Sequence, residues 1–383
     1  MNRFIGRYRT HVDLPYGPSM RRFRLALAVL VVLPACSQGW TGTRTSEGLT
    51  TRIISAERIA APEGARAWQV EYSSETIGGE ETSVTGWVAI PEVQGTMPVM
   101  AWAHPTAGLG DECAPSRLGG RTPFDFSHEL EAGWAVVATD YESLGGPGLH
   151  PYLVSESEAR SIFDIARAAH ELDDRVGTDL LLWGFSQGGH ATLSAAALAP
   201  ELAPDFRIVA TVAVAPAVDL IGWPPRALGT LQQGYIVAIV TGFAAAYGLE
   251  VGDVLTRNAI DLLDEVKTSC ADPTTYGVSR LSSSGAFVVD PTQLEPWATL
   301  LTDNSPEYRT IGSPVLLVLG DEDALWPLDL LPTIIGRMCD AGTPVGTSIH
   351  LGEDHGSVGG AARGEIHTFL AERLEGLPFE TDC

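Results

Sequence analysis

The chain has 383 residues, of which 45% are hydrophobic and 19% are charged. This composition, with a mean hydropathy near zero, suffices for a large buried core and excludes a disordered chain or a protein with many membrane spans. The 24 Lys and Arg residues against 48 Asp and Glu residues give a formal net charge of −24. That charge repels phosphate backbones, so we exclude nucleic acid as a principal partner.

The N-terminal segment has the order of a secretory signal. A basic stretch beginning at Met20 precedes an uncharged stretch that ends in small residues and Cys36. The apolar part is shorter than the roughly 20 residues that span a bilayer. Residues 33–36 also resemble a lipobox, the site at which bacterial lipoproteins are lipidated on cysteine. We expect residues 1–36 to form a signal region with Cys36 as the lipidation site, and residues 37–60 to form a polar tether.

The cysteine count supports this interpretation, because the chain has five cysteines and an odd number in an exported protein implies one with a separate role. If Cys36 carries lipid, four cysteines remain to pair in an oxidising compartment. They are Cys113, Cys270, Cys339 and Cys383. Three connectivities are possible and stay open on these grounds. A free thiol or an intermolecular bridge at Cys36 is the alternative.

Apolar and alternating segments predict a series of strands separated by helices. The predicted strands lie at 68–73, 83–90, 99–103, 135–139, 180–183, 209–215 and 315–319. Between them, Ile162, Ile165 and Ala166 share one helical face, and Ser155 with Glu158 predicts a capping box where that helix begins. Strands that alternate with helices indicate a mostly parallel sheet covered on both faces.

The alternation is interrupted once. Residues 219–310 have helical patterns and no convincing strand, which predicts a helical cap inserted between two parts of one core, 61–218 and 311–383. Within the cap, residues 235–247 are apolar but too short to span a bilayer. We interpret this stretch as buried core rather than a lid that touches lipid.

The strongest chemical signal is a G-x-S-x-G motif between an apolar strand and a helix-prone segment. Gly184 and Gly188 flank Ser186, as a nucleophilic serine in a tight strand-to-helix turn requires. The following helix directs its positive end toward the serine. The backbone N–H of Gln187 is therefore a candidate donor to the oxyanion that forms when a carbonyl is attacked.

A nucleophilic serine needs a base and a carboxylate that orients the base, in the chain order Ser, Asp or Glu, His. Asp323 lies in an acidic loop after the last predicted strand and fits the spacing G-x-x-D-x-x-hydrophobic-Pro, with Asp321 as the alternative. His355 lies in a Gly-flanked loop near the C-terminus and is the predicted base. The other candidate histidines are interpreted as structural: His190, His350 and His367.

Further site residues are expected at the ends of earlier strands. The second oxyanion donor should come from the loop after strand 99–103, where we assign Thr106. Asp140 and Tyr141 end another strand on the same rim. They either line an acyl pocket and bind substrate or cap the next turn. The sequence has no H-E-x-x-H, C-x-x-C or G-x-x-x-x-G-K-S/T motif, so we expect no metal and no cofactor.

Four segments together resemble the secretory lipase family of α/β-hydrolases, the yeast lipase A type with its bacterial relatives. They are residues 104–116, 138–145, 150–153 and 184–188. The resemblance covers roughly residues 60–380, and the segments C-A-P-S and D-Y-E-x-L-G are specific to the family. It implies an α/β-hydrolase fold and a Ser-Asp-His carboxylic ester hydrolase, with a helical cap over an acyl pocket. The implied substrates are triacylglycerol or related esters.

The resemblance also implies a pairing of the cysteines, Cys113 with Cys270 and Cys339 with Cys383. The sequence departs from the family at Pro105, where glycine commonly follows the histidine. Proline has no N–H, so the oxyanion donor of this loop must be Thr106 or Ala107.

These observations favour a secreted, lipid-anchored serine esterase or lipase. The negative net charge disfavours anionic lipid surfaces, so a neutral small-molecule or lipid ester is the expected substrate. Two alternatives stay open. One is a serine peptidase or acyltransferase on the same scaffold, and the other is a non-catalytic binding module that keeps the fold.

Overall fold

The computed structural model describes residues 51–118, 125–270, 272–281 and 283–383. The expected signal region, the expected lipidation site at Cys36 and most of the expected tether lie outside these residues. The described residues belong to one compact unit.

A nine-stranded sheet forms the centre of this unit. Its strands are β1 (Ile53–Ile59), β2 (Ala65–Glu75), β3 (Glu81–Pro91), β4 (Met97–Ala103), β5 (Ala135–Thr139), β6 (Val176–Phe185), β7 (Arg207–Val214), β8 (Val315–Gly320) and β9 (Val345–His350). Their order across the sheet is β1-β2-β3-β5-β4-β6-β7-β8-β9. The first three strands and the β3–β5 pair are antiparallel, and every pair from β5 to β9 is parallel. The expected mostly parallel sheet is confirmed.

The helices flank this sheet and fill the chain between β7 and β8. They are α1 (Ser127–Glu131), α2 (Ser155–Leu172), α3 (Gln187–Leu202), α4 (Pro224–Ala227), α5 (Gln233–Tyr247), α6 (Arg257–Ile260), α7 (Leu263–Thr268), α8 (Ser283–Ala286), α9 (Trp297–Asp303), α10 (Leu331–Asp340), α11 (Val358–Ala361) and α12 (Arg363–Leu374). One buried apolar cluster includes residues of α2, α3 and α5, and a second includes residues of α1 and α12. The central strands are therefore buried on both faces, as their continuous apolar sequences predict.

Strand β1 corrects the expected extent of the tether. Residues 53–59 were expected to be part of a polar linker, but they pair with β2 at the edge of the sheet. Five of these seven residues are exposed. An edge strand that faces solvent has no need of an alternating apolar pattern, and the sequence of β1, with Ser, Ala, Glu and Arg between isoleucines, shows none. Strand β9 also lacks a strong apolar pattern and forms the opposite edge.

Helices α4 to α9 lie in the region where we expect a cap. Within the described part of residues 219–310, the β-structure consists of one isolated bridge between Leu255 and Phe287. Helix α5 covers the apolar stretch 235–247, and most of its residues are buried, as expected. No helix among the described residues is long and apolar enough to cross a membrane.

Candidate active site

Ser186 occupies the turn between β6 and α3. Its φ of 55° lies in the left-handed region that favours glycine, which is a strained backbone for serine. The Ser186 N–H donates to the carbonyl of Val214 at 2.9 Å, so the neighbouring strand β7 holds the turn. The residue is 6% exposed. This geometry presents the hydroxyl at the carboxyl edge of the sheet.

The two glycines of the motif permit the close packing of this turn. A Cβ atom on Gly184 would overlap the carbonyl oxygen of Gly188. A Cβ atom on Gly188 would overlap the carbonyl oxygen of Ala103, the last residue of β4. The start of α3 therefore lies directly against the ends of β6 and β4, which is possible only without side chains at these positions.

Ser186, His355 and Asp323 form a continuous hydrogen-bonded chain. The Nε2 atom of His355 lies 3.0 Å from the Ser186 hydroxyl oxygen, and its Nδ1 atom lies 2.7 Å from Asp323 Oδ2. Asp323 is buried, and its other oxygen accepts the N–H groups of Leu325 at 2.8 Å and Trp326 at 2.9 Å. The carboxylate can therefore hold a proton on Nδ1, which leaves Nε2 free to accept the serine proton.

The alternative acid, Asp321, has a different position. Its Oδ1 atom accepts the N–H of Gly352 at 2.6 Å, which ties the end of β8 to the loop that leads to His355. The other histidines lie outside the chain of three. His350 contacts Glu365, His367 stacks on His128, and His190 is buried against Glu158.

The structure places the two expected oxyanion donors at the start of α3 and after β4. Gln187 is the first residue of α3, where backbone N–H groups have no partner within the helix. Thr106 follows β4, and its hydroxyl lies 2.7 Å from the hydroxyl of Tyr152. Tyr152 is buried, and although it lies in the segment 150–153 of the family resemblance, the sequence assigns it no role, because only the fold brings it to this loop.

Asp140 and Tyr141 are both buried, with exposures of 1% and 0%. The Asp140 carboxylate accepts the Thr85 hydroxyl at 2.6 Å and both the N–H and the hydroxyl of Ser116. Burial raises the pKa of Asp140, although these hydrogen bonds oppose the shift. The Tyr141 hydroxyl donates to the carbonyl of His104 at 3.0 Å. These contacts favour the alternative in which the pair organises neighbouring turns rather than binds substrate.

Both cysteine pairs implied by the family resemblance are present. Cys113 is bonded to Cys270, which joins the chain after β4 to the helical region between β7 and β8. Cys339 in α10 is bonded to Cys383.

One side-chain cluster has the composition of a metal site. Ligand atoms of His128, Glu129 and His367 lie within 4.8 Å of one another. The two imidazole rings are stacked, with centroids 3.8 Å apart and planes at 18°. Imidazole lone pairs lie in the ring plane, so those of stacked rings run side by side and do not converge on one ion. We assign no metal to this cluster.

The expected capping box at α2 is wrong. Ser155 lies in the first turn, and its N–H donates to Asn304 Oδ1 at 2.8 Å. The Glu158 side chain is fully buried and contacts Gln187 and His190 behind the serine turn. Ser155 and Glu158 therefore bond to residues distant in the sequence, and not to each other's backbone as a capping box requires.

A serine in a strand-to-helix turn, linked through histidine to aspartate at the carboxyl edge of a mostly parallel sheet, defines the α/β-hydrolase fold. The profile of the family described as Secretory lipase matches residues 124–380, and the chain belongs to that family.

The chain is similar to proteins that carry lipase names. The chain is 23% identical over 420 residues to Lipase A of Arthroderma benhamiae, covering 97% of this chain and 86% of that protein. It is 30% identical over 204 residues to the "Probable inactive lipase MT1628" of Mycobacterium tuberculosis, covering 49% of this chain and 45% of that protein. Because a relative is named inactive, family membership alone does not establish catalysis.

Solved structures share the fold. Candida antarctica lipase A in its closed state matches with a TM-score of 0.73 at 17% identity, over 87% of this chain and 84% of that one. A ligand-bound form of the rice cell wall degrading esterase LipA from Xanthomonas oryzae matches with a TM-score of 0.67 at 20% identity, over 85% of this chain and 99% of that one.

Proposed function

We propose that this protein is an exported serine hydrolase of carboxylic esters. The observation that carries the proposal is the chain of three hydrogen-bonding groups from Ser186 through His355 to Asp323, with separations of 3.0 and 2.7 Å. A serine hydroxyl is a weak nucleophile until a base at hydrogen-bond distance takes its proton, and this arrangement supplies that base.

In the proposed reaction, Ser186 Oγ attacks the acyl carbonyl while His355 takes the serine proton. The backbone N–H of Gln187, with that of Thr106 or Ala107, stabilises the tetrahedral oxyanion. His355 then gives its proton to the departing alkoxide, which leaves as the alcohol and yields an acyl-enzyme. Water attacks the acyl group, His355 takes the water proton, and the acid is released as that proton returns to Ser186.

The proposed substrates are neutral esters such as triacylglycerols. The relatives named lipases support this class, and the net charge of −24 disfavours anionic substrates. We also propose that residues 219–310 act as the cap over the acyl site, that residues 1–36 direct export, and that Cys36 carries lipid.

The test is hydrolysis of p-nitrophenyl esters with acyl chains of two to sixteen carbons by the wild-type protein and by Ser186→Ala. We expect the variant to lose at least about a thousandfold in kcat/KM while keeping its melting temperature, because only the attacking oxygen is removed. The chain-length profile would separate an esterase from a lipase, and amide substrates would reveal a peptidase. Equal activity of the two folded proteins, or none in either, would contradict the proposal.

A further inference from the structure

A buried polar network lies behind the serine turn and is not part of the triad. It consists of Glu158 on α2, Gln187 and His190 on α3, and Asn304 just after α9. The first three are fully buried and Asn304 is 4% exposed. Burying polar groups is costly unless they are hydrogen-bonded, and within this network the Gln187 side-chain oxygen is buried without a hydrogen-bond partner among the described residues.

Two hydrogen bonds fix the Gln187 side chain. Its amide nitrogen donates to Glu158 Oε1 at 2.9 Å and to His150 Nε2 at 2.7 Å. The Glu158 carboxylate accepts an N–H but repels a carbonyl oxygen, so the Gln187 amide must turn its nitrogen toward Glu158. His150 accepts at Nε2 because its Nδ1 donates to the carbonyl of Glu142 at 2.9 Å. The ring is therefore neutral, in agreement with the burial that lowers the pKa of His150 to about 3.

His190 is bound by acceptors on both sides. Its Nδ1 lies 2.6 Å from Glu158 Oε2, and its Nε2 lies 2.7 Å from the carbonyl oxygen of Asn304. A carboxylate and a carbonyl both need a donor, so both ring nitrogens carry a proton and the ring is an imidazolium. Burial lowers the pKa of His190, but the charge and hydrogen bond of Glu158 outweigh it, and the pKa is raised overall.

Asn304 extends the network into the helical region. Its Oδ1 accepts the N–H of Ser155 at 2.8 Å, and its Nδ2 donates to the hydroxyl of Tyr247 at 2.9 Å. The chain after α9 is thereby joined to α2, α3 and α5. A shift of any of these elements would change the contacts that hold Gln187.

We propose that Glu158 and His190 are positioning residues for the oxyanion hole. Glu158 holds the Gln187 side chain from behind, and His190 holds Glu158 in turn. Together they fix the direction of the Gln187 backbone N–H and link this donor to the end of the helical insertion at Asn304. The inference rests on the proposed function, since an oxyanion donor has a role only if Ser186 attacks an ester. Both side chains are fully buried, so their proposed action is through Gln187 and not by contact with the substrate.

The test compares Glu158→Gln with Asp164→Asn. Asp164 is a matched control, because it is a buried carboxylate on the same helix whose partners, Thr51, Ser74 and Arg167, lie outside the network. We expect Glu158→Gln to lower kcat, expressed per active site titrated with a fluorophosphonate, by about tenfold or more, with KM nearly unchanged. Inhibition by phenylboronic acid, which forms a tetrahedral adduct, should weaken by a similar factor. Asp164→Asn should change stability only.

A second variant covers the case in which Glu158→Gln does not fold. Gln187→Ala keeps the backbone N–H and removes only the side chain that the network holds, and it should show the same loss in kcat and in boronate inhibition. If the folded Glu158→Gln or Gln187→Ala protein shows wild-type kcat and wild-type inhibition by phenylboronic acid, the positioning proposal is overturned. The proposed function would still stand. A wild-type protein that hydrolyses no ester would overturn both.

Discussion

Two aspartates follow β8 two residues apart and have separate tasks. Asp323 accepts the His355 ring N–H and two backbone N–H groups, so it is fully engaged in holding the His355 ring. Asp321 lies at the surface and holds the backbone of Gly352. The spacing of the motif favours Asp323 over Asp321, and it is Asp323 that contacts the His355 ring.

The first prediction separates these aspartates by the same chemical change. Asp323→Asn should lower kcat by about a thousandfold or more, because an amide N–H can donate to Nδ1 of His355 and so favours the tautomer with its proton on Nε2. In that tautomer Nε2 cannot accept the serine proton. Asp321→Asn should retain most of the activity, since its amide oxygen still accepts the Gly352 N–H. The measurement is kcat for p-nitrophenyl ester hydrolysis, with circular dichroism to verify folding. The reverse ranking would assign the acid to Asp321.

The residues that complete the site differ in how far the sequence can reveal them. Ser186, Asp323 and His355 have local signals in the sequence. Each lies in a turn or loop that the neighbouring residues identify, namely the G-x-S-x-G motif, the acidic loop after a strand and the Gly-flanked loop near the C-terminus. Tyr152 and Glu158 have no local signal for the contacts that they make in the fold. Tyr152 meets Thr106 across 46 positions and Glu158 meets His190 across 32, so the fold alone brings them together.

At the level of elements, the site depends on how α3 begins. The helix starts at the residue after Ser186, with its first turn pressed against the end of β4. The G-x-S-x-G pattern between an apolar strand and an Ala-rich segment predicts this packing. The predicted strands do not include the edge strands β1 and β9. Five of the seven residues of β1 are exposed, and β9 consists largely of Gly, Thr, Ser and His, so neither strand has the apolar pattern on which strand prediction depends.

The second prediction tests this packing. Gly188→Ala should lower the free energy of unfolding by about 3 kcal/mol, because the added methyl group meets backbone atoms that have little room to move. Gly364→Ala is the control, since a Cβ atom at that position in α12 has no neighbour within 4 Å. Urea denaturation measures both. A Gly188→Ala protein as stable as the control would contradict the close approach of α3 to β4.

At the level of the whole molecule, one buried cluster joins the two ends of the helical insertion. Arg337 contacts Asp219 at 2.6 Å and Glu307 at 3.3 Å, and Glu307 accepts the backbone N–H of Asp219 at 3.0 Å. Burial raises the pKa of Glu307 to about 7, and the charge of Asp219 adds to this effect while Arg337 opposes it.

The third prediction follows from this shift. The pKa of Glu307 is higher in the folded protein than in the unfolded chain. Its contribution to the free energy of unfolding is therefore complete below about pH 4.5 and is lost as the pH rises through about 7. Deprotonation of Glu307 should therefore lower the free energy of unfolding by about 2 kcal/mol between pH 5 and pH 8. Glu307→Gln should flatten the decline in melting temperature over this interval, whereas Glu201→Gln, at an exposed position, should not. Parallel wild-type and Glu307→Gln curves would contradict the assignment.

The most direct measurement determines whether Ser186 is the residue that reacts with an electrophile specific for serine hydrolases. The folded wild-type protein is treated with a fluorophosphonate, and the modified peptide is located by mass spectrometry. We predict one adduct, on Ser186, with labelling abolished in Ser186→Ala and strongly slowed in His355→Ala. A folded protein that stays unlabelled, or an adduct on another serine with Ser186 unmodified, would contradict the catalytic account and favour a binding protein that keeps only the fold.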